Sequence, residues 1–161
     1  MARQESDRED FLREATALVE RAELQIPGES EPVTVGFRKG GSLSIFFGGD
    51  PVYQFNTAGE LRRAFADGLL YKAERGRLVA LRRERTPSEV TLVRSELSDD
   101  EMNEFLAVGH RQLARLGEAL QANQFELLGQ VPADGQVPAR VRDWLAALPR
   151  KLVVARSPRV V

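Results

Sequence analysis

Between residues 33 and 97 the apolar positions fall into seven short runs, each opening eight to thirteen residues after the last, with Gly, Asp, Asn or Pro in the gaps. Within the first runs the period is two. Val33, Val35 and Phe37 alternate with Thr34 and Arg38, and Leu43, Ile45 and Phe47 alternate with Ser44 and Phe46. Alternation broken at short intervals by turn-forming residues predicts an antiparallel β-meander of six to seven strands. Its turns are Lys39-Gly40-Gly41-Ser42, Gly48-Gly49-Asp50-Pro51, Asn56-Thr57-Ala58-Gly59, Ala66-Asp67-Gly68, Arg75-Gly76 and Arg85-Thr86-Pro87-Ser88. Thr57 with Glu60 also fits a capping box, which gives residues 58 to 67 a helical alternative. The even spacing of the turns favours a strand there.

On either side of this region the period lengthens to that of a helix. Phe11, Ala15, Leu18 and Ala22 recur at four- and three-residue steps, widened by Val19 and Ile26, so a helix is predicted over 6–26, opened by Ser6 with Glu9 and stopped by Pro27-Gly28. Ser98-Asp99-Asp100-Glu101 combines a capping box with carboxylates in a first turn. From it runs a stripe of Met102, Phe105, Leu106, Leu113, Leu116 and Leu120, predicting a long helix over 99–121 laid on one face of the sheet. Residues 124–131 read as an eighth strand. Pro138 opens a last helix, 138–148, whose Val141, Trp144, Leu145 and Leu148 share a face. The tail reads as a short strand to Ala155 and is loose over 156–161.

The assembled expectation is one α+β domain spanning 1–161. A sheet of this size curls. Curling around the 99–121 helix leaves either a filled core or a cavity between helix and sheet, and the pattern alone does not choose.

Composition narrows the chemistry. The 161 residues include no Cys and one His. That removes disulfides, thiolate metal sites and thiol catalysis, and no metal or other cofactor is expected. The first thirty residues mix acids and bases with no apolar core, and no apolar run approaches the roughly 18 residues of a membrane span, so a soluble cytoplasmic protein is expected.

Net charge is −1, yet the charges are sorted along the chain. Residues 1–31 and 86–129 are each −5, whereas 60–85 and 130–161 are each +4. The basic block of Arg62, Arg63, Lys72, Arg75, Arg77, Arg82, Arg83 and Arg85 is explained by a solvated sheet face covered in part by acidic helices, or by attraction of an acidic partner or nucleic acid. A pI near 6.0 and the presence of only Tyr71 as an interleaved aromatic weaken the nucleic-acid reading. Depending on register, Arg62, Lys72 and Arg82 share the face opposite Leu61, Phe65, Leu69 and Tyr71.

Two features remain as candidate sites. His110 is the one side chain whose ordinary pKa suits proton transfer near neutrality, and it lies about 80° from the centre of its helix's apolar stripe. No ordered nucleophile motif accompanies it. Residues 46–56 hold four of the ten Phe and Tyr residues around a Gly-Gly-Asp-Pro turn. They read as a central hairpin buried on both sides, or as a ligand surface using Phe47, Asp50, Tyr53, Gln54 and Asn56, joined by Arg63 and Tyr71 where the apolar half of the meander meets the basic half. The leading expectation is therefore a non-enzymatic binding or interaction module for a protein or a small apolar ligand. The alternatives are an enzyme using His110 as acid or base in a helix–sheet pocket, with Asp50 as a second candidate base and Tyr53 as positioning donor, and nucleic-acid binding through 62–85.

Overall fold

The structure, a computed structural model, describes residues 18–48 and 51–156. All seven runs of the meander form strands: β2 (Val33–Arg38), β3 (Leu43–Phe47), β4 (Val52–Phe55), β5 (Leu61–Ala66), β6 (Leu69–Glu74), β7 (Arg77–Arg85) and β8 (Val90–Glu96). The stretch with a helical alternative is strand β5. Two of the turns are two-residue hairpins fixed by register, since Ala66 faces Leu69 and Glu74 faces Arg77. Their central residues all have positive φ: Asp67 53° and Gly68 79°, Arg75 54° and Gly76 82°. Both central residues with positive φ define a turn whose twist matches that of the flanking strands.

Two further strands enlarge the sheet to nine, in the order β8-β7-β6-β5-β4-β3-β2-β1-β9, antiparallel throughout. One of them corrects the expectation of an N-terminal helix over 6–26. Leu18–Gln25 is strand β1, paired with β2 on one side and with β9 (Glu126–Val131) on the other. The first half of that expected helix and its Ser6–Glu9 cap lie outside the described residues. The physical reason is visible in the burial. Ala22, Leu24 and Ile26 are buried at alternate positions, a period of two that coexists with the helical spacing of Leu18 and Ala22. Pairing on both edges overrides the helix propensity of Glu, Arg and Leu.

The helices cover one face of the curled sheet. Helix α1 (Asp99–Gln121) starts as its sequence requires: the Ser98 Oγ accepts from the Glu101 N–H at 3.2 Å, and the Glu101 carboxylate accepts from the Ser98 N–H at 2.9 Å. The same spacing of Thr86 and Glu89 serves a hairpin loop instead of a helix, the Thr86 Oγ1 accepting from the Glu89 N–H at 3.1 Å. Helix α2 (Val137–Ala146) ends slightly before the expected 148 and buries Val137 and Val141, with Trp144 edge-on to Phe55 at 4.8 Å between centroids. After α2 the chain lies along β5: the Leu61 N–H donates to the Val153 carbonyl at 2.7 Å, and the Ala155 N–H donates to the Leu61 carbonyl at 2.8 Å. Leu152, Val154 and Ala155 are buried there. The terminal residues 157–161 lie outside the described part.

One apolar core joins the concave sheet face to the second half of α1 and to α2, through Leu24, Val35, Leu43, Ile45, Phe55, Leu61, Leu113, Leu116 and Leu120 among others. A smaller cluster of Phe46, Val52 and Phe65, flanked by Leu18 and Leu70, sits on the convex face. The aromatic hairpin is thus buried on both sides. Among the described residues no helix is long and apolar enough to cross a membrane.

Candidate functional site

Register decides which side chains share a face. Tyr53, Ala64, Tyr71, Ala80 and Ser95 stand opposite one another across β4 to β8, a single row on the concave face. The row is large at one end and small at the other. Helix α1 lies over it, held at β4 by two contacts. The Tyr53 hydroxyl donates to Gln112 Oε1 at 2.6 Å, and Gly109 is so close that an added Cβ would stand 3.3 Å from that hydroxyl and 3.2 Å from Leu152 Cδ1.

The second half of α1 fills the space beneath it with Leu113, Leu116 and Leu120. The first half packs Met102, Phe105 and Leu106 against the core, and beside that stripe the exposed Glu101, Glu104 and Val108, with Gln112, border an opening toward the small residues Ala80 and Ser95. What remains is a cleft of about 520 Å³, a volume typical of small-molecule sites. Between helix and sheet the core is filled at the second half of α1, and at the first half it gives way to this open cleft.

The cleft has an aromatic floor and an acidic rim. Phe105 stands between the two tyrosines, 4.7 Å from Tyr71 and 6.4 Å from Tyr53 between ring centroids. Asp67, Glu101 and Glu104 stand around them, while Glu96, opposite Val79, alternates to the other face of β8 from Ser95; among the described residues neither Lys, Arg nor His contributes to the lining. This surrounding is felt by Tyr71, whose phenol is pushed above its ordinary pKa by burial first and by the charges of Asp67 and Glu101 after that. Glu101 is held below the usual carboxylate range by hydrogen bonding from Ser98, its backbone N–H foremost and its side chain next. Arg77, the nearest guanidinium beyond the helix start, is engaged by Asp99 and by the Leu97 carbonyl, and the hydrogen bond to Asp99 raises its pKa.

Of the residues singled out from sequence, Tyr53 and Tyr71 come together in this cleft, and the others are placed elsewhere. Phe47 is core, edge-on to Tyr53 at 6.0 Å. Gln54 is fully buried on the convex side, where its Oε1 accepts from Arg63 Nε at 2.9 Å and from an Arg62 nitrogen at 3.3 Å. Arg63 is therefore separated from Tyr53 by the thickness of the sheet. Asn56 builds its own turn, its Oδ1 accepting from the N–H groups of Ala58 and Glu60. Asp50 lies outside the described residues. Phe105 was legible as an apolar helix position only, and the carboxylates Asp67, Glu101 and Glu104 as general acidity. A usable signal exists in hindsight: Glu101 and Glu104 flank the apolar stripe of Met102, Phe105 and Leu106 on the side that borders the cleft.

His110 belongs to a different groove, of about 470 Å³, between the second half of α1 and the end of α2, with Leu113, Gly117, Leu145, Glu118 and Arg150 among its lining. Its Nδ1 is buried without a hydrogen-bond partner. The basic block does not form one face. Arg62, Arg63 and Lys72 share the convex side with Phe65, whereas Arg82 falls on the concave side with Tyr71, because Lys72 faces Val79 and Tyr71 faces Ala80. Arg82 is paired with Glu84 at 2.7 Å, and Arg94 of the neighbouring strand is paired with Glu74. Among the described residues no group of three or more His, Asp or Glu side chains is placed to hold a metal ion.

Compared with known proteins, the chain matches no family model, no curated protein and no solved structure.

Proposed function

We propose that this protein is a binding module that holds a small molecule in the cleft between the first half of α1 and the concave face of β4 to β8. The observation that carries this reading is the cleft itself, about 520 Å³ bounded by Tyr53, Tyr71 and Phe105. Aromatic rings offer large, stiff contact area at little entropic cost, and the hydroxyl of Tyr71 and the amide of Gln112 add polar handles beside them. The cysteine-free chain suits a reducing compartment, and the cytoplasm is where this reading places its work.

The test is native mass spectrometry of freshly purified protein beside an Ala80→Trp variant, whose indole would occupy the cleft from its floor. Retained small-molecule mass in the parent chain, absent from the variant, is the expected result. The same mass retained by both would move the site elsewhere.

A second reading is favoured by one specific observation. The buried, unpartnered Nδ1 of His110 beside a groove that also holds Glu118 and Arg150 is compatible with acid–base chemistry on a ligand in that groove. Retained mass lost on His110→Ala but kept in Ala80→Trp would favour it.

A further inference from the structure

We propose that the ligand of the cleft is an organic cation, a small ammonium compound seated on the Tyr71 and Phe105 rings and ringed by carboxylates. This rests on the binding reading above and adds the sign of the ligand's charge. Three observations converge on it.

The first is the shape and chemistry of the walls. The half-buried rings of Tyr71 and Phe105, 4.7 Å apart between centroids, line one concavity beside the buried ring of Tyr53. Ring faces carry the negative part of the aromatic quadrupole, and a desolvated cation gains most from them. The second is charge. Asp67, Glu101 and Glu104 turn carboxylates to the cleft, and among the described residues no Lys, Arg or His lines it, so a positive guest is attracted there and a negative one repelled. The third is that the guanidiniums flanking it are engaged with other carboxylates: Arg77 with Asp99, and Arg82, on the same face as Tyr71, with Glu84. The rim carboxylates Asp67 and Glu104 are without an ion-pair partner among the described residues.

One opposing field exists and is small. The N-terminus of α1, with its partial positive charge, lies at the same end of the helix, but Asp99, Asp100 and Glu101 occupy that first turn and outweigh it. The upward push on the Tyr71 pKa by Asp67 and Glu101 reports the same negative potential inside the cleft.

Charge can be separated from shape with three soluble probes of nearly one size: choline, the neutral 3,3-dimethylbutan-1-ol and the anionic 3,3-dimethylbutanoate. Each is titrated into the full chain while backbone amide shifts of Tyr71, Ser95 and Phe105 are followed by NMR. The expected result is saturable shifts with choline and at least about tenfold weaker binding of the alcohol. The anion should give no cleft shifts. In the Asp67→Asn/Glu104→Gln double variant, at two exposed positions, the preference for choline over the alcohol should shrink about threefold or more, and raised salt should shrink it in the parent chain. Equal binding of choline and the alcohol in the cleft would overturn the charge inference while leaving the binding reading intact. Preference for the anion, or no cleft shift with choline at tens of millimolar, would also overturn it. The binding reading falls separately, on the Ala80→Trp comparison.

Discussion

The Tyr53 hydroxyl donates to Gln112 Oε1 at 2.6 Å, and this bond between β4 and the middle of α1 marks the boundary between filled core and open cleft. Toward the C-terminal end of α1 the helix buries leucines; toward its N-terminal end it roofs a cavity. Tyr53→Phe should cost about 1 kcal/mol of stability, the typical net worth of one hydrogen bond, because Gln112 is left facing the cleft where water can reach it. A double-mutant cycle with Gln112→Ala, read by denaturant unfolding, should show coupling of about the same size. Additive effects would mean the bond contributes nothing to docking.

Two glycines of α1 make opposite predictions. Gly109→Ala places a methyl 3.2 Å from Leu152 Cδ1 and 3.3 Å from the Tyr53 hydroxyl, so crowding should offset the usual helical gain and destabilise by about 1–2 kcal/mol. Gly117→Ala meets nothing nearer than Leu145 Cβ at 3.8 Å. It should stabilise by about 0.5–1 kcal/mol through propensity alone. Thermal unfolding of the two single variants checks the contrast.

The helix start predicts an acid-side dependence. Glu101 has its folded pKa below its ordinary 4.5, so its contribution is present above that value and is lost as pH falls through the folded pKa. Ser98→Ala should remove about 1 kcal/mol at neutral pH. It should also flatten the decline of stability on acidification, since both hydrogen bonds of the box are then weakened or gone. An unchanged acid slope in the variant would show that other carboxylates dominate it.

Tyr71 predicts an alkaline counterpart. Its folded pKa is raised above 10.0, so at pH values just above 10 the unfolded chain has released a proton that the folded chain keeps, and stability falls as pH rises through this window. Tyrosinate absorbance followed in a Tyr53→Phe background should show Tyr71 titrating late. Asp67→Asn should bring that titration down only part of the way, because burial is the larger cause.

Asn56 separates a turn residue from a ligand residue. Asn56→Ala removes acceptors for the Ala58 and Glu60 N–H groups and should destabilise by about 1–3 kcal/mol. Ligand affinity of the folded fraction should be unchanged. A loss of affinity without loss of stability would place Asn56 in the site.

The meander was legible because its signals are local: Gly40-Gly41, Asp67-Gly68 and Arg75-Gly76 turn the chain, and the alternation between them fixes the strands. Strand β1 was not legible. Its partner β9 reaches it from about a hundred residues away, the short link to β2 carries a Pro27-Gly28 that fits a helix stop as well as a turn, and Leu18 and Ala22 fit a helical stripe as well as a strand. Alternation does put Tyr53 and Phe55 on one face of β4 and Val52 and Gln54 on the other, yet the ligand-surface reading drew residues from both. Tyr53 and Gln54 are neighbours in sequence and stand on opposite faces, so the aromatic-to-basic seam near residues 53–63 is divided by the sheet, and Arg63 meets Gln54 instead of the cleft. The cleft is made by what is missing, small side chains at Ala80 and Ser95 beneath Phe105 and Val108, and small residues announce themselves in no periodicity.

The most direct test of the central claim is an NMR screen of a small-molecule fragment set against the full chain, with every amide shift mapped onto the fold. The account predicts that saturable hits cluster on Tyr71, Ala80, Ser95, Phe105 and Val108 and vanish in Ala80→Trp. Hits that cluster around His110 and Leu145 instead, or that survive in Ala80→Trp, would contradict it.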